Sequence, residues 1–257
     1  MRIHLVLSLF MFMSTHAIAA PEVDLASDPL ISMRCTSDPS EKLTISGTTV
    51  STDGAYLYQT GFNPLTWSGS LKKLSLKHAG AADASALSAE WDAADLLTGT
   101  GSSPARPDAD GRRIYTARIN SDLSLNMIPF SWANLSSAQR AALNTSPLNG
   151  SNDQLGEKRL DYLRGGRRYE LGQVEGIFRT RDRVLGAIVH SAPVFVGVPS
   201  SNVLGADYRE FHDTYRARRP AVYVGASDGM LHADDAVTGE ELFAYMPHGL
   251  FDRLGQL

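Results

Sequence analysis

The stretch VYVGASDGMLHADDAVTGEELFAYMP, residues Val222–Pro247, has the clearest β-strand pattern in this chain. Valines on either side of Tyr223 predict a strand that is buried mainly on one face. Asp228-Gly229 is a strong hairpin signal, because both residue types tolerate positive φ. Thr238-Gly239 marks a second turn, where the carboxylate of Asp235 can accept hydrogen bonds from backbone amides. The stretch therefore predicts three antiparallel strands in succession, a pattern that many β-meanders share.

Three segments upstream show a similar alternation of apolar and polar residues. Ser51–Asn63 carries an Asp53-Gly54 turn signal and predicts a hairpin. Thr66–His78 predicts a turn at Ser68-Gly69 followed by a half-buried strand. Arg112–Ile119 predicts a strand as well. The chain is therefore expected to be mainly β.

A weak internal repeat links two of these regions. TWSGSLKKLSL (residues 66–76) and GASDGMLHADDA (residues 225–236) both place a small polar residue and a glycine shortly before a leucine and an alternating strand. Meandering strands with glycines at recurrent turn positions are typical of a β-propeller blade or a β-sandwich. Residues 178–197 lead into a further strand.

Short helices are predicted between the strands. Ser85–Leu97 and Asn134–Asn144 have apolar residues near helical spacing, and Ser136 or Ser137 can cap the second of them. Glu157–Gly166 predicts a third short helix, closed by its final glycine pair. Residues 98–111 and 198–220 are polar and predict loops.

The N-terminus has the features of a signal peptide. After one firm positive charge, Leu5–Met13 forms an apolar run, and the small residues Ala17 and Ala19 predict cleavage after Ala19 or Ala20. A buried N-terminal strand or helix is the alternative. The prediction is a signal peptide at residues 1–20 and an N-terminal arm at residues 21–44. No later segment reaches transmembrane length, so the mature chain is expected to be exported without a membrane span.

Composition and cysteine content exclude several classes. The net charge of −4 and the pI near 6.0 give no general sign of a nucleic-acid binder. The single cysteine, Cys35, rules out an intramolecular disulfide and a cysteine-based zinc site. Cys35 can pair with another chain or act as a small buried hydrophobe, and we favour the second role.

No stretch of the sequence forms a convincing metal or catalytic site. Asp108–Gly111 and Ala226–Gly229 are too short for a calcium loop, and the neighbours Asp234 and Asp235 should point to opposite faces of a strand. His190-Ser191 diverge for the same reason, and no G-x-S-x-G motif is present. The seven histidines lack zinc-binding spacing. We therefore predict no catalytic, cofactor-binding or metal-binding residue.

A basic stretch runs through residues 158–183. In an exported protein it predicts a solvated face or ion pairs to neighbouring loops, with contact to a protein or an anionic surface as a further option. Its members are Lys158, Arg159, Arg164, Arg167, Arg168, Arg179, Arg181 and Arg183.

A collinear series of segments resembles the PilY family of type IV pilus assembly proteins and tip adhesins, over about residues 45–257. The segments are NPLTWSGSL (63–71), EWDAADLL (90–97), RRIYTARI (112–119), FSWANLSSAQRAALN (130–144), RLDYLRGG (159–166), FRTRDRVLGAIVHSAPVFVG (178–197) and PAVYVGASDGMLHADDAVTGEELFAYMP (220–247). The last of them also looks like a blade of the quinoprotein-dehydrogenase-like propellers. The chain departs from the family at Asp234, where members usually have an aromatic residue.

The resemblance implies a partial, incomplete β-propeller of the quinoprotein-dehydrogenase-like type at residues 45–257, with short helical insertions. The family's large N-terminal region, its later blades and its Asp-rich calcium loop are absent from this sequence, which suggests a truncated member. Calcium is thus implied by the family but not by these residues. An incomplete ring leaves a blade uncovered, so the chain is expected to be marginally stable or to self-associate.

The implied function is type IV pilus assembly or adhesion at the pilus tip, through protein contacts and not through catalysis. Expected partners are pilins or minor pilins, together with host or surface ligands, and no nucleic acid. The expected location is the periplasm, the outer-membrane surface or the pilus tip. Two alternatives remain: a fragment of a quinoprotein-like redox domain, and a nonfunctional truncated fragment.

Overall fold

A computed structural model describes residues 43–76, 87–100, 109–201, 203 and 205–256, and its strands form two β-sheets. The strands are β1 Thr44–Val50, β2 Tyr56–Asn63, β3 Ser68–Ser75, β4 Ala89–Asp92, β5 Ile114–Ile119, β6 Leu125–Pro129, β7 Val194–Val196, β8 Ala221–Gly225, β9 Leu231–Asp235 and β10 Glu241–Met246. The helices are α1 Ala93–Thr98, α2 Ser137–Leu143, α3 Gly156–Leu163 and α4 Ala206–Tyr215. The prediction of a mainly β chain with short helices is confirmed.

The first sheet is an antiparallel meander in the order β1-β2-β3-β4. The second sheet has the order β6-β5-β10-β9-β8-β7, and β10 runs parallel to β5 whereas the other neighbours are antiparallel. Within the described residues these two sheets form neither a closed barrel nor a propeller.

The three strands predicted in the opening stretch are β8, β9 and β10. Gly229 and Gly239 have φ values of 86° and 75°, so both turns use the left-handed region as expected. Strand β7 pairs with β8 and extends the unit to four strands. The two segments of the internal repeat therefore contribute β3 and β9, each the third strand of a four-stranded antiparallel meander.

One face of the second sheet, here called the inner face, carries two hydrophobic cores side by side. Val222 and Val224 of β8 pack against the first sheet in a core with Tyr58, Leu71 and Trp91. The second core lies at the other end of the same face, where β5 and β10 meet the helical segments. It contains Ile114, Phe130, Leu135, Leu143, Leu160, Leu163, Met230, Ala244, Met246, Phe251 and Leu254.

The two predicted helices after residue 130 are confirmed as α2 and α3, and each ends before its predicted last residue. Ser136 caps α2 in a capping box, in which its hydroxyl accepts from Gln139 N and the Gln139 side chain accepts from Ser136 N. Gly165, with φ of 102°, follows α3 and supplies the predicted glycine stop.

The predicted helix at Ser85–Leu97 is wrong in its first part. The structure has strand β4 there, pairing with β3, and the helix begins only at Ala93 after Asp92 caps it. Trp91 is buried by the sheet and not by a helix face, so tertiary pairing overrides the local spacing. Residues 77–86 lie outside the described ranges.

Three elements and one turn differ from expectation. The loop predicted at residues 198–220 contains α4, and β6 and a 3₁₀ segment at His248–Gln256 were not predicted. The predicted turn at Ser68-Gly69 is wrong, because these residues begin β3 and the turn lies one step earlier, ending at Trp67. The predicted signal peptide, most of the arm and Cys35 fall outside the described residues. Among the described helices, none is long and apolar enough to cross a membrane.

The backbones of β3 and of residues 185–187 approach each other closely at Gly69. This approach joins the two sheets and explains why residue 69 is a glycine. Gly69 N donates to Leu185 O at 2.9 Å, and Ser227 N donates to Ala187 O at 2.9 Å, so residues 185–187 bridge β3 and the β8–β9 turn. A Cβ at Gly69 would lie 2.1 Å from Gly186 O, and one at Gly186 would lie 2.4 Å from Asp228 N. Both positions therefore require glycine.

Gly186→Ala is expected to lower the free energy of unfolding by about 1–3 kcal/mol, because the added methyl forces the sheets apart. Urea unfolding followed by circular dichroism measures the change. Gly249→Ala is the matched control, since a Cβ there meets nothing within 4 Å. Equal midpoints for the two variants would show that this junction does not constrain the fold.

Candidate functional site

A buried charge cluster lies between the two cores on the inner face. His232 of β9 stands directly opposite Val224 of the first core and Ala244 of the second. Its Nε2 is 3.0 Å from Asp228 Oδ2 and its Nδ1 is 2.9 Å from Glu241 Oε1. The imidazole therefore separates two apolar regions while remaining bonded on both sides.

Arg112 completes the cluster from the segment before β5. Its Nε and Nη2 donate to the two oxygens of Glu241 at 2.8 and 2.6 Å, a bidentate ion pair. Its Nη1 donates to Arg164 O at 2.8 Å. Both partners have side chains that are no more than 5% exposed, so the pair is held away from solvent.

The cluster shifts the pKa values of its members in opposite directions. Burial opposes protonation of His232, but the carboxylates of Asp228 and Glu241 outweigh it and raise the pKa of His232 to about 10. Burial favours neutral forms of those two carboxyls as well, yet His232 and Arg112 lower the pKa of both. The imidazole is thus a cation that donates to two carboxylates.

Asp234 and Asp235 point to opposite faces of β9, as predicted. Asp234 faces the cluster, and burial, with the Glu241 charge adding to it, raises the pKa of Asp234 to about 7. Asp235 accepts from Val237 N at 2.6 Å and Thr238 N at 2.8 Å, which confirms its predicted turn role. It also pairs with Arg219.

These acids do not fit a calcium ion. Asp228 already accepts hydrogen bonds from His232, from Met230 N at 3.1 Å and from Gly186 N at 3.2 Å. Asp235 already accepts hydrogen bonds in its turn and pairs with Arg219. Calcium takes six to eight oxygens, and the described residues contain no group of three or more metal-binding side chains placed to hold an ion. Asp108 lies outside the described residues.

His190 and Ser191 precede β7, and within the described part of the chain only Ser191 of the two makes a structural contact. Ser191 Oγ accepts from Gly225 N at 3.0 Å, which ties the segment before β7 to the end of β8. His190 is exposed. The structure does not bring these two residues together with a third catalytic partner.

The basic stretch forms ion pairs and backbone contacts, and it is not a solvated face. Arg181 pairs with Glu170 at 2.9 Å, and Arg183 pairs with Asp92 at 2.9 Å. Arg164 donates to the carbonyls of Phe130, Ala109 and Arg112. Of the two sequence-based options, ion pairing to neighbouring segments is the one observed for most members.

The opposite face of the second sheet, here called the outer face, is apolar and largely uncovered. The strand register places Tyr223, Phe243 and Tyr245 on the outer face. All three side chains are half-buried. Exposed apolar residues continue the face on the other four strands, β5, β6, β7 and β9. They are Val194, Leu231, Met127, Ile119 and Leu125, at 56%, 40%, 64%, 46% and 66% exposure.

Helix α4 offers a second aromatic surface. Tyr208, Phe211 and Tyr215 lie one turn apart on one side of it, with ring centroids 5.7 and 5.0 Å apart. None of the described side chains of this helix is buried. Exposed apolar sheets and aromatic helix faces are typical of surfaces that bind other proteins.

Sequence reasoning missed both surfaces. The sequence does contain a pattern that predicts the outer face. Tyr223, Phe243 and Tyr245 are aromatic residues at the strand positions that alternate with the core residues. On a solvated sheet such positions are usually polar. The aromatic residues in the segment of α4 also have helical spacing, but the polar and charged residues around them led to the prediction of a loop.

The chain is similar in sequence to known type IV pilus biogenesis factors. The chain is 34% identical over 217 residues to the type IV pilus biogenesis factor PilY1 of Pseudomonas aeruginosa, which covers 79% of this chain and 17% of the relative. It is 44% identical over 104 residues to a PilY1 homolog of Xylella fastidiosa, covering 38% of this chain and 8% of the relative. The chain thus spans less than a fifth of the length of these relatives. No family model matches, and no solved structure matches.

Proposed function

Because this chain is related by sequence to the PilY family, we propose that it acts in type IV pilus biogenesis or in adhesion at the pilus tip, through contacts with other proteins. The observation that carries the proposal is the apolar outer face, which offers a binding surface of the kind that protein partners cover. The sequence relationship supplies the biological context of that surface.

We propose pilins and minor pilins as the partners. The relatives are named as type IV pilus biogenesis factors, and the aromatic residues of the outer face and of α4 suit a protein contact. Host or surface ligands are the partner class if the chain works in adhesion. An envelope or cell-surface location follows from either role and agrees with the signal peptide predicted at residues 1–20.

The propeller remains part of the proposal. Two four-stranded antiparallel meanders packed face to face, with the repeat on equivalent third strands, support blades of one propeller at residues 45–257. In that arrangement the outer face is the surface that a further blade or a partner would cover.

A redox function is the alternative from another class. It rests on the likeness of the last meander to quinoprotein blades, and fold does not carry function by itself. The charged groups of the inner face are engaged with one another, which supports a structural role for them. Stoichiometric absorbance of pyrroloquinoline quinone in the purified protein would favour the redox alternative.

Deletion of the coding gene tests the proposal in the cell. We expect fewer surface pili, or weaker attachment with normal pili, and recovery of the lost property when the chain is supplied in trans. Pilus counts by electron microscopy and attachment assays distinguish assembly from adhesion. Normal piliation and attachment in the deletion strain would favour a nonfunctional fragment.

A further inference from the structure

Strand β6 is an outer edge of the second sheet and bears no charged side chain between Leu125 and Pro129. Leu125 and Met127 are about two-thirds exposed, at 66% and 64%. Natural edge strands are usually protected by charges, bulges or a covering segment. An uncharged, exposed edge of this kind is a template for pairing with another strand.

Two other sheet edges in the described ranges, those of β4 and β1, are met by neighbouring segments. At β4, Trp91 Nε1 donates to Val237 O at 3.0 Å, which places the β9–β10 turn against that edge. Near β1, a Cβ built on Gly47 would lie 2.9 Å from Ala192 Cα, so β1 lies close to the segment before β7. The exposure along β6 is therefore not a general property of these sheets.

The hairpin register shows which backbone groups of β6 face outward. Asn120 N donates to Ser124 O at 2.9 Å, and Phe130 N donates to Ile114 O at 2.8 Å. Because antiparallel strands alternate the direction of their amides, even-numbered residues of β6 bond to β5. Leu125 and Met127 direct their N–H and C=O groups away from the sheet.

We propose that a second copy of this chain binds here, by antiparallel pairing of β6 with β6 of the partner about a two-fold axis at Asn126. Leu125 of each copy stands opposite Met127 of the other, and the two pairs exchange four backbone hydrogen bonds. The two six-stranded sheets then become continuous. This association is separate from the pilus role and does not depend on it.

The edge favours its own copy because the available groups are self-complementary. The two residues with outward donors and acceptors are spaced symmetrically about Asn126, so one pairing satisfies all four groups. Pro129 has no N–H and would break a longer ladder with a foreign strand. On the apolar side, Leu125 meets Met127 of the partner, and no like charges within the strands oppose one another.

Sedimentation equilibrium over a concentration series tests the association. The wild-type chain is expected to show a monomer–dimer equilibrium, and Met127→Lys is expected to raise the dimer Kd about tenfold or more, because each copy then places a lysine charge against the apolar Leu125 of the other. Val174→Lys is the control, because Val174 is fully exposed and is not part of β6. Near-UV circular dichroism checks that both variants remain folded.

A cross-link tests the register. Opposed residues at a non-hydrogen-bonded antiparallel site have Cα atoms about 4.5 Å apart, which is disulfide range. In a Cys35→Ser background, Asn126→Cys is expected to form a covalent dimer with oxidised glutathione, which is reduced as the two thiols join. Leu148→Cys, at an exposed position outside β6, is the control.

Either of two results overturns the proposal. One is a wild-type chain that stays monomeric at every concentration. The other is a dimer that persists in Met127→Lys and does not cross-link through Asn126→Cys above the Leu148→Cys control, which would assign the contact to another surface such as the outer face or α4.

Discussion

Replacing Arg112 by methionine is expected to lower the free energy of unfolding by about 3–5 kcal/mol, because it leaves the Glu241 carboxylate buried without its bidentate partner. Methionine keeps much of the side-chain volume, so lost packing is a minor part of the change. Urea unfolding at pH 7 measures it.

Two companion variants identify the cause. Arg112→Met combined with Glu241→Gln is expected to lose less stability than the sum of the single changes, since removal of both charges leaves no uncompensated ion. Arg168→Met should have little effect, because its pair with Glu175 is exposed. An Arg112→Met protein as stable as Arg168→Met would contradict the account of the cluster.

The second large effect has the opposite sign. Asp234→Asn is expected to raise the free energy of unfolding by about 2–4 kcal/mol at pH 8, because ionisation of a buried Asp234 destabilises the folded chain. Asp234 has a pKa of about 7 in the fold against 3.8 in the unfolded chain. The folded state therefore binds the proton more tightly, and the penalty grows from about pH 4 to about pH 7.

The adjacent acid provides the control for this pH dependence. Its hydrogen bonds and Arg219 lower the pKa of Asp235, so its contribution is present above pH 4 and is lost as the pH falls. Asp235→Asn should thus destabilise the chain at pH 8, where Asp234→Asn stabilises it. Stability curves of the same sign for the two variants would refute the assignment of Asp234 to the inner face and Asp235 to the turn.

The sequence predicted the features that depend on neighbouring residues. The turns at Asp53-Gly54, Asp228-Gly229 and Thr238-Gly239 and the cap at Ser136 follow from local chemistry, which a few residues determine. The alternation in β8 likewise identified Val222 and Val224 as core residues.

The rest required contacts between distant parts of the chain. Arg112 and Glu241 are 129 positions apart, and the parallel pairing of β10 with β5 joins equally distant segments, so no local pattern marks either. Strand β4 forms because β3 offers a partner, although the spacing of Trp91 and Leu97 also suits a helix. For the basic stretch, the charges can be read from the sequence, but the carbonyls and carboxylates that receive them cannot.

Direct binding to pilus subunits tests whether this chain works through contacts with pilins or minor pilins. With the purified chain immobilised, we expect saturable binding of the soluble domains of pilins or minor pilins from the same organism by biolayer interferometry. Phe243→Lys on the outer face should weaken it, and Val174→Lys should not. Failure of every pilus subunit to bind a chain that circular dichroism shows to be folded would contradict a role through these protein contacts.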